Sequence, residues 1–151
     1  MKASNFTLND QSGASHELKS YTGKWVVLYF YPKDMTPGCT VEACDFRDNV
    51  NRLASANAVV FGVSADDEKK HAKFAQKESL SFPLLADTDH AVCEAYGVWG
   101  KKKFMGREYD GITRTTFIIS PAGDIAKKYD EVKVKGHVTE VLMDLAELQK
   151  K

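Results

Sequence analysis

Apolar residues follow two alternating patterns along this chain. Some stand in runs: 25–31 is a continuous run rich in β-branched and aromatic residues, and 58–64 (AVVFGVS) is a second, mostly apolar run; such runs are typical of strands buried on both faces of a sheet. Others recur every three or four positions, which indicates helices with one buried face. The predicted strands are 25–31, 58–64, 82–85, 115–120 and 125–130. The predicted helices are 37–54, 66–78, 90–96 and 137–149.

Turn and capping residues separate these elements. Pro32 ends the first long strand, and Thr36 is the expected N-cap of the helix whose first residue is Pro37. The turn at 121–124 predicts a late hairpin, and the turn-rich stretch 9–15 predicts an N-terminal hairpin extension. This order predicts a single α/β domain over residues 1–151, with a mixed central sheet flanked by helices. A thioredoxin-like fold is the commonest such arrangement at this length.

Charge and composition exclude several classes of partner. Basic and acidic residues number 21 each, so the net charge is zero and nucleic acid is not an expected partner. Lys101–Lys103 is expected in a solvated turn. No stretch approaches the roughly 18 apolar residues of a membrane span, and the N-terminus lacks the apolar segment of a secretory signal. We therefore expect a cytoplasmic protein with no membrane partner.

The cysteines carry the candidate chemistry. An odd count of three, with no export signal, argues against structural disulfides and favours catalysis or metal binding. Cys39 lies where the first long strand passes into a helix, and ligands of open α/β sheets gather at such strand ends. The helix N-terminus adds positive partial charge, which favours the thiolate, the nucleophilic form. Gly38 removes side-chain bulk beside the sulfur, and Thr36 brings a hydroxyl within reach.

Three segments together resemble one family. PKDMTPGC (32–39) matches the proline, threonine and cysteine spacing of the peroxiredoxin active-site loop. With CTVEACDFRD (39–48) and YGVWGKKKFMGREYDGITRTTFIIS (96–120), it resembles the bacterioferritin comigratory protein, or peroxiredoxin Q, branch over essentially the whole chain. The resemblance implies a thioredoxin-like fold and a thiol peroxidase that reduces hydrogen peroxide and organic hydroperoxides without a cofactor or metal. It also implies thioredoxin or glutaredoxin as the reductant, and a monomer or weak dimer.

The same resemblance assigns roles to five residues. Cys39 is the peroxidatic nucleophile, Thr36 and Arg114 position the peroxide and stabilise the thiolate, and Pro32 shields the pocket. Cys44 is the resolving thiol, which forms a disulfide with oxidised Cys39. Fixed donors such as a guanidinium lower the barrier because negative charge develops on the leaving oxygen. Glu42 is expected to orient Arg114 or a neighbouring backbone group.

Helix geometry adds a constraint on this disulfide. Two residues five positions apart in an α-helix have Cα atoms roughly 8.7 Å apart, from a rise of about 7.5 Å and a chord of about 4.3 Å. A disulfide needs less than about 7 Å. We therefore predict that oxidation unwinds the first turns of the helix that begins near Pro37.

Three other readings stay open at this point. A thiol-disulfide oxidoreductase normally has two residues between its cysteines, whereas CTVEAC has four. A zinc module is disfavoured because the four histidines are scattered, and we expect them at the surface or in local hydrogen bonds. A redox sensor would share the first chemical step with a peroxidase. Cys93 is expected to pack in the core or near the surface, although it could also serve as an alternative resolving thiol.

Overall fold

The computed structural model describes residues 1–150 and every side chain among them except that of Phe104. An N-terminal hairpin of two short antiparallel strands, as predicted, precedes a 3-10 turn at Leu18–Tyr21. The strands are β1 (Thr7–Asn9), β2 (Ser15–Glu17), β3 (Trp25–Phe30), β4 (Ala58–Ser64), β5 (Leu84–Ala86), β6 (Trp99–Phe104), β7 (Arg107–Ile112), β8 (Thr115–Ile119) and β9 (Ile125–Tyr129). The helices are α1 (Pro37–Asp48), α2 (Val50–Ser55), α3 (Glu68–Glu78), α4 (Ala91–Ala95) and α5 (His137–Gln149). No helix among residues 1–150 is long and apolar enough to cross a membrane.

A five-stranded mixed sheet forms the centre, in the order β5-β4-β3-β8-β9. β3 pairs in parallel with β4 and antiparallel with β8, so the predicted mixed sheet is confirmed. Alternate residues of β3 enter different apolar clusters: Val27 and Tyr29 enter one, and Val26 and Leu28 the other. The first cluster packs against α1, α2, α3 and α5, and the second against α4 and the N-terminal segment. Burial on both faces explains why the β3 sequence is continuously apolar.

Two predicted elements differ from the structure. The helix predicted for 37–54 is two helices, because Asn49 leaves the helical conformation with φ −115° and ψ 9°. Lys101–Lys103 lies in β6, not in a solvated turn, and pairs with β7 in a separate two-stranded hairpin. The turn of that hairpin is Met105–Gly106, whose positive φ angles of 51° and 77° suit a tight two-residue turn.

Candidate active site

The start of α1 is formed by Thr36, three residues before the first cysteine. Thr36 occupies the N-cap position, as predicted, and its carbonyl accepts the N–H of Thr40 at 2.9 Å. Its side chain does not cap the helix; the hydroxyl donates to the Lys33 carbonyl at 2.9 Å instead. Because its single hydrogen is committed to Lys33, the Thr36 oxygen can only accept a hydrogen bond from a further group.

Cys39 lies in the first turn of α1, reduced and only 1% exposed. Its Sγ accepts a hydrogen bond from Nη2 of Arg114 at 3.3 Å, so the structure brings these two predicted residues together. Arg114 is not on a strand; it directly precedes β8. The register of the sheet explains the contact, because Thr115 pairs with Phe30 at the end of β3, and α1 begins a few residues later.

Gly38 makes room for this guanidinium. A Cβ atom at Gly38 would lie 3.1 Å from Nη2 of Arg114. That distance is tighter than ordinary van der Waals contact, so a larger residue would push the guanidinium away. The glycine beside the sulfur, noted in the sequence, therefore serves the approach of Arg114.

A buried carboxyl group holds the other side of Arg114. Nη1 of Arg114 donates to Oε1 of Glu42 at 2.7 Å, which confirms the expected contact between the two residues. Burial raises the pKa of Glu42 to about 7, although Arg114 opposes that rise. Burial lowers the pKa of Arg114, but Glu42 and Cys39 outweigh burial and raise it overall. Arg114 therefore stays cationic beside the sulfur.

Cys44 lies on the same helix, half-buried against the end of α3. Its thiol donates to Oε1 of Glu78 at 3.6 Å. Burial raises the pKa of Cys44, Arg47 opposes that rise, and Glu78 adds to it. Arg47 also donates to the Glu78 backbone carbonyl at 2.6 Å, so two side chains of α1 are bound to one residue of α3. Both cysteines are reduced, and α1 is a continuous helix across them.

A buried polar cluster that was not predicted from the sequence supports the loop between β3 and α1. Asp34 accepts from the Tyr31 hydroxyl at 2.5 Å and lies 2.6 Å from Nδ1 of His71. Nε2 of His71 lies 3.0 Å from the Leu85 carbonyl and must donate to it, because a carbonyl can only accept. The Asp34 N–H donates to Asp66 at 2.7 Å. These bonds fix the loop to α3 and β5. A buried Asp and His with their partners on three distant elements leave no local sequence signal.

The structure also shows the burial of the remaining residues that were singled out in the sequence. Pro32 is half-buried and follows β3, and its role as a shield stays a prediction. Cys93 is fully buried in the cluster with α4, so its expected core packing is confirmed. His71 and His137 are buried rather than at the surface, and both have hydrogen-bonding partners. Among residues 1–150, no group of three or more His, Cys, Asp or Glu could hold a metal ion.

Comparisons with known proteins identify the family of this chain. The profile of the AhpC/TSA family matches residues 1–128. Peroxiredoxin Bcp of Bacillus subtilis is 49% identical over 150 residues, covering 99% of this chain and 96% of that protein. Peroxiredoxin Bcp of Escherichia coli K12 is 49% identical over 145 residues, covering 96% and 93%. The chain belongs to the peroxiredoxin family.

Solved peroxiredoxin structures match the fold as well. A cysteine-to-serine mutant of Xylella fastidiosa PrxQ superposes with a TM-score of 0.92 at 35% identity, covering 99% of this chain and 97% of that one. Peroxiredoxin Q of Xanthomonas campestris gives a TM-score of 0.89 at 40% identity, covering 93% and 89%. These relatives confirm the predicted branch, the thioredoxin-like fold and the enzyme class, a peroxiredoxin of the atypical two-cysteine type.

Proposed function

We propose that this peroxiredoxin reduces hydrogen peroxide and organic hydroperoxides with Cys39 as the nucleophile and Cys44 as the resolving thiol. A relative, the bacterioferritin comigratory protein of Xanthomonas campestris, is described for its alkyl peroxide reduction activity. The observation that carries the proposal is the contact between Cys39 Sγ and Nη2 of Arg114 at 3.3 Å. A cation that donates to the sulfur favours the thiolate, which is the reactive form.

The first step forms a sulfenic acid. The Cys39 thiolate attacks the terminal peroxide oxygen, the O–O bond breaks, and the other oxygen leaves as an alkoxide or hydroxide that takes up a proton. In this proposal Arg114 stabilises the charge that develops on the leaving oxygen. We propose that the Thr36 oxygen accepts the peroxide hydrogen, because its own hydrogen is bound to the Lys33 carbonyl. Pro32, which follows β3, is the proposed shield of this pocket.

The second and third steps recycle the enzyme. The Cys44 thiol loses its proton as its sulfur attacks the sulfenic sulfur, the S–O bond breaks, and the departing hydroxide takes up a proton and leaves as water. A dithiol reductant, thioredoxin or glutaredoxin, then supplies two electrons through a mixed disulfide. We propose that this cycle takes place in a single domain over residues 1–151 that is monomeric or weakly dimeric and works in the cytoplasm.

A thioredoxin-coupled peroxidase assay tests the two cysteine roles. Cys39→Ser is expected to lose turnover, and Cys44→Ser to be oxidised once without being recycled. Cys93→Ala is the matched control and should keep turnover, because Cys93 is buried away from this site in the other apolar cluster. Turnover in Cys39→Ser would contradict the proposal.

A parallel insulin-reduction assay tests the alternative functions. A thiol-disulfide exchange protein would reduce insulin faster than it consumes peroxide. A redox sensor would react with peroxide but would not turn over with the reductant. The spacing of four residues between Cys39 and Cys44, both within one helix, favours the peroxidase.

A further inference from the structure

One cation lies between two acids in the buried part of the active site. Nη1 of Arg114 donates to Oε1 of Glu42 at 2.7 Å, and Nη2 donates to Sγ of Cys39 at 3.3 Å. The Arg114 side chain is 17% exposed and the Glu42 side chain 0%. Among residues 1–150, no other basic side chain lies within ion-pair distance of Glu42. A single buried positive charge balances one neighbouring negative charge. A second negative charge there would be uncompensated, which is costly in free energy.

The second oxygen of Glu42 favours the protonated form of this acid. Oε2 of Glu42 is buried and has no hydrogen-bonding partner. An ionised carboxylate with one oxygen unpaired in an apolar environment pays a large desolvation cost, and protonation removes most of it. The raised pKa of Glu42, about 7 and caused first by burial, agrees with this geometry.

The other titratable groups around the site do not supply a second positive charge at Glu42. They come from the helix itself, β3, β6 and α5: Cys39, Asp45, Tyr29, Lys102 and His137. Asp45 raises the pKa of Glu42 further. His137 is neutral near pH 7, because burial lowers its pKa to about 4. Lys102 donates to the Ile112 carbonyl at 2.8 Å, and burial lowers its pKa.

We propose that Glu42 holds a proton while Cys39 is a thiolate and releases it when the sulfur becomes neutral, so that Arg114 always has one anionic partner. The inference rests on the proposed function of Cys39. Glu42 acts through Arg114 and is therefore a positioning residue. It keeps the guanidinium available to the sulfur before the reaction and becomes the counterion of the guanidinium afterwards.

The reaction balances with this proton included. The thiolate and the hydroperoxide give the sulfenic acid and an alkoxide, and the alkoxide takes a proton from solvent to form the alcohol. Glu42 returns one proton to solvent as it ionises. The sum converts a thiolate, a carboxylic acid and a hydroperoxide into a sulfenic acid, a carboxylate and an alcohol. The charge around Arg114 is the same before and after, so no uncompensated buried charge forms.

Infrared difference spectroscopy tests this proposal directly. A Cys44→Ser parent stops at the sulfenic acid, and spectra are taken at pH 6 before and after one equivalent of hydrogen peroxide. We expect the loss of one protonated-carboxyl C=O band and the gain of a carboxylate band. Both changes should be absent when Glu42→Gln is added to the parent. Asp45→Asn, an acid on the same helix that is not bound to Arg114, is the matched control and should keep both changes.

Trapping the sulfenic acid with dimedone distinguishes a failure of the proposed proton at Glu42 from a failure of the proposed function of Cys39. Full trapping without a carboxyl change, or a change that persists in Glu42→Gln, would overturn the proposed proton at Glu42 alone. A parent that forms no sulfenic acid at Cys39 would overturn the proposed function and this inference together. A merely structural role for Glu42 predicts no carboxyl signal, so the spectrum distinguishes the two roles.

Discussion

Arg114 is the residue on which the chemistry of this site converges. It donates to Cys39 through one nitrogen and to Glu42 through the other, and the guanidinium fork makes both bonds possible at once. The sulfur alone, at the start of a helix, receives only partial charges from the backbone. A guanidinium that donates directly to the sulfur is what distinguishes Cys39 from Cys44, whose thiol donates to Glu78 instead.

Replacing Arg114 with lysine should slow the peroxide step by on the order of 10² to 10³, because a single ammonium cannot form both bonds and the fixed donor is lost. The rate is measured by stopped-flow oxidation of the reduced protein with hydrogen peroxide. Arg52→Lys, an exposed arginine on α2, is the matched control and should react at the wild-type rate. Equal rates for Arg114→Lys and Arg52→Lys would contradict the role of the guanidinium.

Gly38→Ala should slow the peroxide step roughly tenfold, because a Cβ 3.1 Å from Nη2 displaces the guanidinium by a few tenths of an ångström. The free energy of unfolding should stay level or rise by up to about 1 kcal/mol, because alanine favours the helix. Stopped-flow rates and urea unfolding measure the two effects. Gly100→Ala has open space around its Cβ position and should keep the wild-type rate. A Gly38→Ala protein as fast as Gly100→Ala would show that the close approach does not matter.

The residues of the site could be predicted from the sequence to different degrees. Cys39 and Thr36 stand together at a strand end, so local pattern identifies them. Arg114 lies 75 residues from Cys39 and was identified only by family resemblance, because strand pairing that creates the contact is not local. The cluster of Asp34 and His71 was missed, since its bonds join three elements that the pattern does not place side by side.

α1 carries both cysteines of the proposed cycle, so under that proposal it is the element that must change shape. In an intact helix their Cα atoms would be roughly 8.7 Å apart, beyond the reach of a disulfide. Forming the bond also removes the thiol hydrogen that Cys44 donates to Glu78 in the reduced structure. The reduced structure thus has a hydrogen bond to α3 that the disulfide form lacks.

Oxidation by one equivalent of peroxide should remove the hydrogen-exchange protection of backbone amides 40–46, because the disulfide unwinds the first turns of α1. Mass spectrometry or NMR measures the exchange, with the amides of α5 as the internal reference. Cys44→Ser treated in the same way should keep its protection, because it forms no Cys39–Cys44 disulfide. Retained protection in a wild-type sample with the disulfide formed would rule out unwinding.

The bounds of the strands and helices could be predicted from the sequence only where burial produces a clear apolar pattern. β3 and β4 were predicted closely, because burial on both faces leaves a continuous apolar run. The break at Asn49 was missed, since apolar spacing continues across it from Phe46 to Leu53. The β6–β7 hairpin was also missed, because most of its residues face solvent and show no apolar alternation.

At the scale of the whole molecule, two buried groups link stability to pH in opposite directions. Burial lowers the pKa of His137 from 6.5 to about 4, so the unfolded chain binds one proton more than the folded chain between these values. Burial raises the pKa of Glu42 from 4.5 to about 7, so there the folded chain binds one proton more. Between pH 4.5 and 6.5 the two contributions to the slope of stability against pH cancel.

Replacing either side chain should reveal the pH dependence of stability that the other contributes. His137→Gln should become less stable than wild type as pH rises from 4.5 to 6.5, and Glu42→Gln more stable, each by up to about 1.4 kcal/mol per pH unit. Urea unfolding at pH 4.5, 5.5 and 6.5 measures both slopes. Variants that both keep the wild-type slope would show that neither group is held in its proposed protonation state.

Peptide mass spectrometry of the oxidised protein tests the central claim most directly. Trypsin releases residues 34–47 as one peptide with both Cys39 and Cys44, while Cys93 falls in the peptide 78–101. After one equivalent of hydrogen peroxide and alkylation, we predict that peptide 34–47 is lighter by two hydrogens and unalkylated, and that Cys93 is alkylated. An alkylated Cys39, or Cys39 linked to Cys93, would contradict the account.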